Sequence, residues 1–295
     1  MEIKKRSLIK HMKYLWPLAV LFLSDPSSAQ ESANPLFSSF EEYKNKKENT
    51  SFQVKWILAG PVTNSARVEA IQGDPNNPGT MYVAFGSGNL WKTTNNGLDW
   101  KPIFENQPTL GIGDIAIAPS NSEILYLGTG ESLRKNRNFT MPGTGIYRSD
   151  DGGETWVHLG LEDTWHIGEI AVHPLNPNIV FVAAMGKFWS ESTSKGIYRT
   201  TNGGKDWERV LYVNDDTRAN DVVIAHSNPK MIYASMWENN DNTNIAESVY
   251  GPHSGIYYSS DGGSSWKRSK NGLPDKPKIG RIGLAVSYQN AQKVY

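Results

Sequence analysis

The chain of 295 residues carries 30 basic and 30 acidic side chains and so no formal net charge, with 27 glycines, 13 tyrosines, 10 tryptophans and no cysteine. That balance excludes a basic nucleic-acid-binding surface, and the missing cysteine excludes both a disulfide framework and a lipid-modified cysteine after a signal. The glycine and aromatic content suits many short strands joined by tight turns.

Residues 1–29 read as a secretory signal peptide: Lys4, Lys5, Arg6, Lys10 and Lys13 supply the charged region, Leu15 to Leu23 the apolar region, and Ser27-Ser28-Ala29 a small-residue cleavage site. An equally good signal starts at Met12, which leaves the translation of residues 1–11 open. The apolar run is too short to span a bilayer, so no membrane span is expected. Five basic and two acidic side chains leave with the signal, so 25 positive charges then stand against 28 negative. A soluble exported protein is expected, periplasmic or extracellular in a bacterium.

Residues 30–51 form a polar linker, with Leu36, Phe37, Phe40 and Tyr43 at the spacing of one short helix. From Phe52 onward, alternating apolar runs are punctuated by Pro, Asn and Gly, the pattern of strands and turns. One segment recurs. Gly145 to Trp156, Gly196 to Trp207 and Gly255 to Trp266 are near copies, and Asn89 to Trp100 is a looser one; the closing tryptophans lie 56, 51 and 59 residues apart. That period marks a repeat architecture. In the third repeat the expected strands are Ile167 to His173, Ile179 to Ala184, Gly196 to Thr200 and Trp207 to Tyr212. The other first strands are Arg67 to Ile71, Gly113 to Ala118, Asp221 to Ala225 and Arg281 to Val286; the other second strands are Met81 to Phe85, Ile124 to Leu127 and Met231 to Met236.

Four short antiparallel strands per unit predict an all-β fold, a β-propeller over residues 52–295. Its blades fall at about 66–104, 112–159, 166–212 and 220–269, with a partial fifth at 279–295. A four-stranded sheet cannot bury both faces alone, so blades must stack, and further blades of the same chain are expected beyond the partial fifth.

Within each repeated turn a central Asp or Asn (Asn95, Asp151, Asn202, Asp261) can accept hydrogen bonds from the turn's own backbone. Gly153, Gly204 and Gly263 relax the chain, and Trp100, Trp156, Trp207 and Trp266 can fold back between blades. The exchange of Asp for Asn argues for a structural clamp and against acid chemistry. This motif is what is called the Asp-box or BNR repeat. Together with Ile112-Gly-Asp-Ile-Ala-Ile-Ala-Pro119, Asp163 to Pro174 and Ile279-Gly-Arg-Ile-Gly-Leu-Ala-Val286, it resembles bacterial sortilin-type (VPS10-like) propellers, often labelled BNR-repeat glycosyl hydrolases and similar to xyloglucanase propellers. The box also occurs in sialidases and in non-enzymatic receptors, so the resemblance speaks to fold more than to reaction.

The connections between second and third strands (Gly128 to Gly145, Met185 to Gly196, Ser235 to Gly255) are long and lie on the face opposite the boxes, where a rigid scaffold usually binds. Candidate ligand-binding residues there are Arg134, Arg137, Trp165, His166, Trp189, Glu191, Trp237 and Tyr250. They suit a glycan or a peptide or protein ligand, although Trp189 and Trp237 could equally anchor their own loops. As a glycosidase the chain would need paired carboxyls; Glu131, Glu238 and Asp241 are the candidates. The xyloglucanase resemblance places an aspartate after the second strand of the first blade, where this chain has Gly86, and draws its second acid from another propeller. The sialidase Arg-Ile-Pro start is echoed only by Ala66-Arg67-Val68. His173 and His226 read as repeat residues and Glu238 to Asn244 as a solvated loop. No zinc signature, phosphate loop or nucleophile elbow is present, so neither metal nor cofactor is expected. Three readings follow: a non-catalytic glycan- or peptide-binding propeller, a xyloglucanase-type hydrolase completed by residues outside this segment, or a structural interaction module.

Overall fold

The computed structural model describes residues 34–50, 66–132, 140–188, 190–239, 250–270, 272–273 and 279–295. Helix α1 (Pro35–Glu48) is longer than the short helix expected, because its ends are well made. Asn34 caps it, accepting the Leu36 N–H at 3.1 Å, Pro35 opens the first turn, and Lys46 and Lys47 sit in the last. The helix buries none of its residues. It is tied down by Asn34, whose amide donates to the Gly143 carbonyl at 3.0 Å, and by Phe37, whose ring meets His158 edge-on at 5.0 Å.

Among the described residues four antiparallel four-stranded sheets follow, each in consecutive strand order. The first holds β1 (Val68–Gly73), β2 (Met81–Phe85), β3 (Asn89–Thr93) and β4 (Lys101–Pro102). The second holds β5 (Ile112–Ile117), β6 (Leu125–Thr129), β7 (Ile146–Ser149) and β8 (Val157–His158). The third holds β9 (Ile167–Val172), β10 (Val180–Ala184), β11 (Gly196–Thr200) and β12 (Glu208–Leu211); the fourth holds β13 (Thr217–Ile224), β14 (Ile232–Glu238), β15 (Gly255–Ser259) and β16 (Lys267–Arg268). Expected and observed strands coincide for β2 and β11. The first strand of blade 4 starts earlier, at Thr217, because residues 217–219 pair with Met236–Glu238 of an equally extended β14. Arg281 to Val286 is not a full strand: only Ala285 and Val286 pair, with Tyr295 and Val294, which is too little backbone for a ladder.

The core lies between sheets. Ile115, Leu125 and Leu127 pack with Tyr82, Ala84 and Leu90 between blades 1 and 2; Ile167, Ile170 and Val182 pack with Tyr126 and Ile146 between blades 2 and 3; Ile232, Ala234 and Met236 pack with Phe181 and Ala183 between blades 3 and 4. Strands covered on both faces are buried throughout, as β6 and β10 are, whereas β2 alternates because blade 1 has a neighbour on one face only among the described residues. Its other face leaves Ile71 62% exposed.

Every inner strand carries an irregularity in its pairing at the same place, at Glu69, Gly113, Gly168 and Asn220. The bulge brings neighbouring inner strands together: a Cβ on Gly113 would collide with the Ile167 carbonyl oxygen, and one on Gly168 with the Asn220 carbonyl oxygen.

Candidate functional site

The repeated hairpins are closed by their own side chains. In blade 2 the Ser149 hydroxyl receives the Gly153 N–H at 2.8 Å and donates to Asp151 Oδ1 at 2.7 Å; Asp151 in turn receives the Thr155 N–H at 2.8 Å and its hydroxyl at 2.6 Å. Blade 4 repeats this with Ser259, Asp261, Gly263 and Ser265. In blades 1 and 3 the central residue is Asn95 or Asn202, and its amide donates to Asp99 or Asp206 at 3.0 and 2.8 Å. Burial pushes the Asp151 carboxyl up, but the hydrogen bonds from Thr155 and Ser149 outweigh it and hold the group at about 2. The indole of Trp156 donates to Ile103 O of the preceding blade at 2.9 Å, and that of Trp207 to Leu159 O at 2.8 Å; Trp266 donates to Gly263 O of its own turn at 3.2 Å. Trp100, in the first blade, is half-buried beside Gly97, and Gly204 lies over Leu159.

On the opposite face the loops converge on buried polar groups. Glu131, directly after β6, has a fully buried side chain paired with Arg67. A Cβ on Gly86 would lie 2.6 Å from the Glu131 carboxylate, so this carboxylate fills the space that a side chain at position 86 would need. His166 is buried, with Nδ1 against Glu131 O at 2.9 Å and its ring 4.5 Å from Phe188; burial, then the charge of Arg218, lowers its pKa to about 3, which keeps it neutral. Arg218 is fully buried, donates to Met185 O at 2.6 Å and Lys187 O at 2.7 Å, and lies over the Phe188 ring at 4.5 Å.

Trp237 packs with Met185 and Phe188 and is 3% exposed. Glu131, His166 and Trp237, expected at the binding surface, therefore lie beneath it, and Trp237 takes the loop-anchoring role. The reason is common to the three: each sits at the end of a strand or directly beside one, where the neighbouring blade's connection covers it.

The accessible groups are fewer. Trp165 is half-buried with φ +56°, its indole N–H is buried without a hydrogen bond, and Lys187 stands 5.1 Å over its ring. A bulky residue held at positive φ is strained, and such strain is common at ligand-binding positions. Glu191 is exposed and Tyr250 half-buried. Glu238 receives the His253 N–H at 2.7 Å and meets its ring nitrogen at 3.1 Å, so this candidate acid is engaged within its own loop. Arg134, Arg137, Trp189 and Asp241 lie outside the described residues.

Sequence reading missed an acidic set on the inner strands. Asp114, Glu169 and Asp221 each follow the bulge directly, in three consecutive blades. Asp114 accepts the Ile170 N–H of the next blade at 2.7 Å, and Asp221 the Leu284 N–H at 2.9 Å. Burial pushes Asp114 up to about 8 despite these N–H groups, and holds Glu169 well above the usual carboxylate range, with Asp114 and Asp221 adding to it; Asp221 is raised by burial too. Beside them Glu69, also raised by burial, receives the Ser132 hydroxyl at 2.7 Å, and Arg281 donates to Ser132 O at 3.0 Å. The available signal was the acid after glycine or asparagine in Ile112-Gly-Asp, Ile167-Gly-Glu and Ala219-Asn-Asp.

Among the described residues no group of three or more His, Asp or Glu is placed to hold a metal, and no helix is long and apolar enough to cross a membrane.

The Sortilin-Vps10 family model (sortilin, neurotensin receptor 3) matches residues 144–275. The chain is 28% identical over 178 residues to xyloglucanase Xgh74A of Acetivibrio thermocellus, covering 48% of this chain and 20% of that protein. It is 23% identical over 229 residues to a probable oligoxyloglucan-reducing end-specific xyloglucanase of Neosartorya fischeri, covering 73% of this chain and 25% of the relative. In fold it is similar to the crystal structure of an ancestral GH74 enzyme, with a TM-score of 0.58 at 22% identity over 78% of this chain and 27% of that one. The matched region thus spans about a quarter of the length of these proteins. Four consecutive antiparallel blades with interlocked hairpins, and these likenesses, make the protein a β-propeller similar to the sortilin and xyloglucanase propellers.

Proposed function

We propose that this is an exported β-propeller that binds a glycan on its loop-rich face and does not hydrolyse it through the residues described. The observation that carries the non-catalytic reading is the state of Glu131: a fully buried carboxylate neutralised by Arg67 can neither protonate a glycosidic oxygen nor attack a sugar. Glu238, bound to His253, is similarly occupied. Half-buried Trp165, under the Lys187 ammonium on the same face as the loops that carry exposed Glu191 and half-buried Tyr250, supplies an apolar platform of the kind sugars need. The relatives named as xyloglucanases support a polysaccharide as the ligand class.

Titrating the secreted protein with xyloglucan oligosaccharides tests this. Trp165→Ala is expected to weaken binding about tenfold, close to the loss of one good contact; unchanged affinity overturns the placement. The names of the relatives also favour a second reading, hydrolysis of a xyloglucan-like polysaccharide. Release of new reducing ends by the full-length protein, abolished by Glu238→Gln, would replace the binding reading with this one.

A further inference from the structure

We propose a second site, on the side of the molecule that carries the hairpins: the cleft between the third and fourth strands of blade 1 and the hairpin of blade 2 binds a neutral oligosaccharide. The cleft has a volume of about 680 Å³, within the roughly 300–1,000 Å³ usual for small-ligand sites. One wall is Trp156. Its N–H is already spent on Ile103 O at 2.9 Å, and its ring is fixed edge-on against the buried Phe104 at 5.5 Å. The half-exposed indole is therefore set in place before any ligand arrives, so little conformational freedom is lost on binding.

The polar lining disfavours an anionic partner. Two lysines and three carboxylates face the cleft. Lys92 is committed to Gly152 O at 2.8 Å and to Glu154 at 3.8 Å, and Asp99 accepts from Asn95 at 3.0 Å. Lys101 and Glu105 remain, one of each sign, beside the side-chain amides of exposed Asn106 and half-buried Gln107. An indole flanked by amides, in a lining with one net negative charge, fits a ligand with an apolar ring face and many hydroxyls and disfavours a phosphate or an acidic chain. At the positions of Asn106 and Gln107, six and seven residues after the hairpin tryptophan, blade 2 carries the acids Glu162 and Asp163 in place of amides.

This site does not rest on the loop-face reading, and one experiment separates them. Full-length protein is titrated with cellohexaose and with a xyloglucan oligosaccharide, following heat and tryptophan fluorescence, in the wild type, Trp165→Ala and the double variant Asn106→Ala/Gln107→Ala. The double variant alters only side chains at the cleft mouth, and an unchanged melting temperature confirms its fold. Loss of one binding event, or weakening of about tenfold or more, in the double variant but not in Trp165→Ala supports the cleft. If Trp165→Ala has no effect while the double variant loses binding, the loop-face reading fails and the cleft stands. Unchanged stoichiometry and affinity in the double variant, or no binding of either sugar by the wild type, overturns the proposal.

Discussion

Asn202 donates its amide to Asp206 at 2.8 Å, and the same positions in the next-earlier hairpin run the other way, Thr155 donating its hydroxyl to Asp151 at 2.6 Å. The turn thus conserves one donor and one acceptor across four residues while exchanging which residue plays each part. A single change that respects this pairing should be mild, and one that violates it should not. Asn202→Asp sets two carboxylates against each other and is expected to cost about 1 kcal/mol at neutral pH, while Asp151→Asn, whose amide can donate to the Thr155 hydroxyl, costs less. Adding Asp206→Thr to Asn202→Asp should restore the melting temperature; failure to do so would show that the pairing is incidental.

The same hairpins set an acid limit. Asp151 is held at about 2 in the folded chain, against roughly 3.9 when unfolded. A depressed carboxyl contributes stability above its unfolded pKa and loses it as the pH falls toward the folded value. Thermal stability should therefore fall between about pH 4 and pH 2, and Asp151→Asn should flatten part of that fall. The group lies half-buried at the surface, so salt will blunt the effect.

Asp114 has the opposite sign. Raised to about 8 in the folded chain, it binds its proton more tightly folded than unfolded, so stability declines as pH rises from about 4 to 8. Asp114→Asn keeps a carbonyl oxygen for the Ile170 N–H and removes the buried charge. It should match or exceed the wild type at pH 8 and lose its advantage near pH 4, as denaturant titrations at both pH values will read.

Trp165 and Trp237 should behave oppositely. Trp237→Ala empties space among Met185 and Phe188 and is expected to cost about 3–5 kcal/mol. Trp165→Ala keeps the Cβ at φ +56° and removes a half-buried ring, so it should lower the melting temperature far less than Trp237→Ala while weakening glycan binding. A stable Trp237→Ala protein would contradict the anchoring role.

Gly113→Ala and Gly168→Ala drive a methyl group into a neighbouring blade's carbonyl and should each cost ~1–3 kcal/mol or more. Gly262→Ala, at φ +74° with open space around it, should cost only about 1 kcal/mol. The comparison separates inter-blade crowding from backbone strain in a thermal melt.

The blades were legible because their information is local. The hairpin from Gly196 to Trp207 contains its own hydrogen-bonding partners within a dozen residues, and repetition reveals its bounds. The loop face was less legible because exposure there depends on what a distant blade lays over it. Trp237 reads the same in sequence whether it faces solvent or Phe188, and Glu131 reads as a free acid until Arg67, 64 positions earlier, is folded against it. Asp114, Glu169 and Asp221 are ordinary strand acids in sequence; only stacking of their blades brings them to one level and deprives them of water.

The hydrogen bonds between blades also have a direction. Asp114 reaches forward to the next blade's inner strand and Asp221 to the extended segment at Leu284, while Trp156 and Trp207 reach back to the end of the previous blade's outer strand. Blades 2 and 3 are joined by one bond of each kind, so they cannot part without stranding the buried Asp114 carboxylate and the Trp207 indole N–H. Amide exchange in the strands of blades 2 and 3 should therefore proceed together, through a shared opening, and not blade by blade.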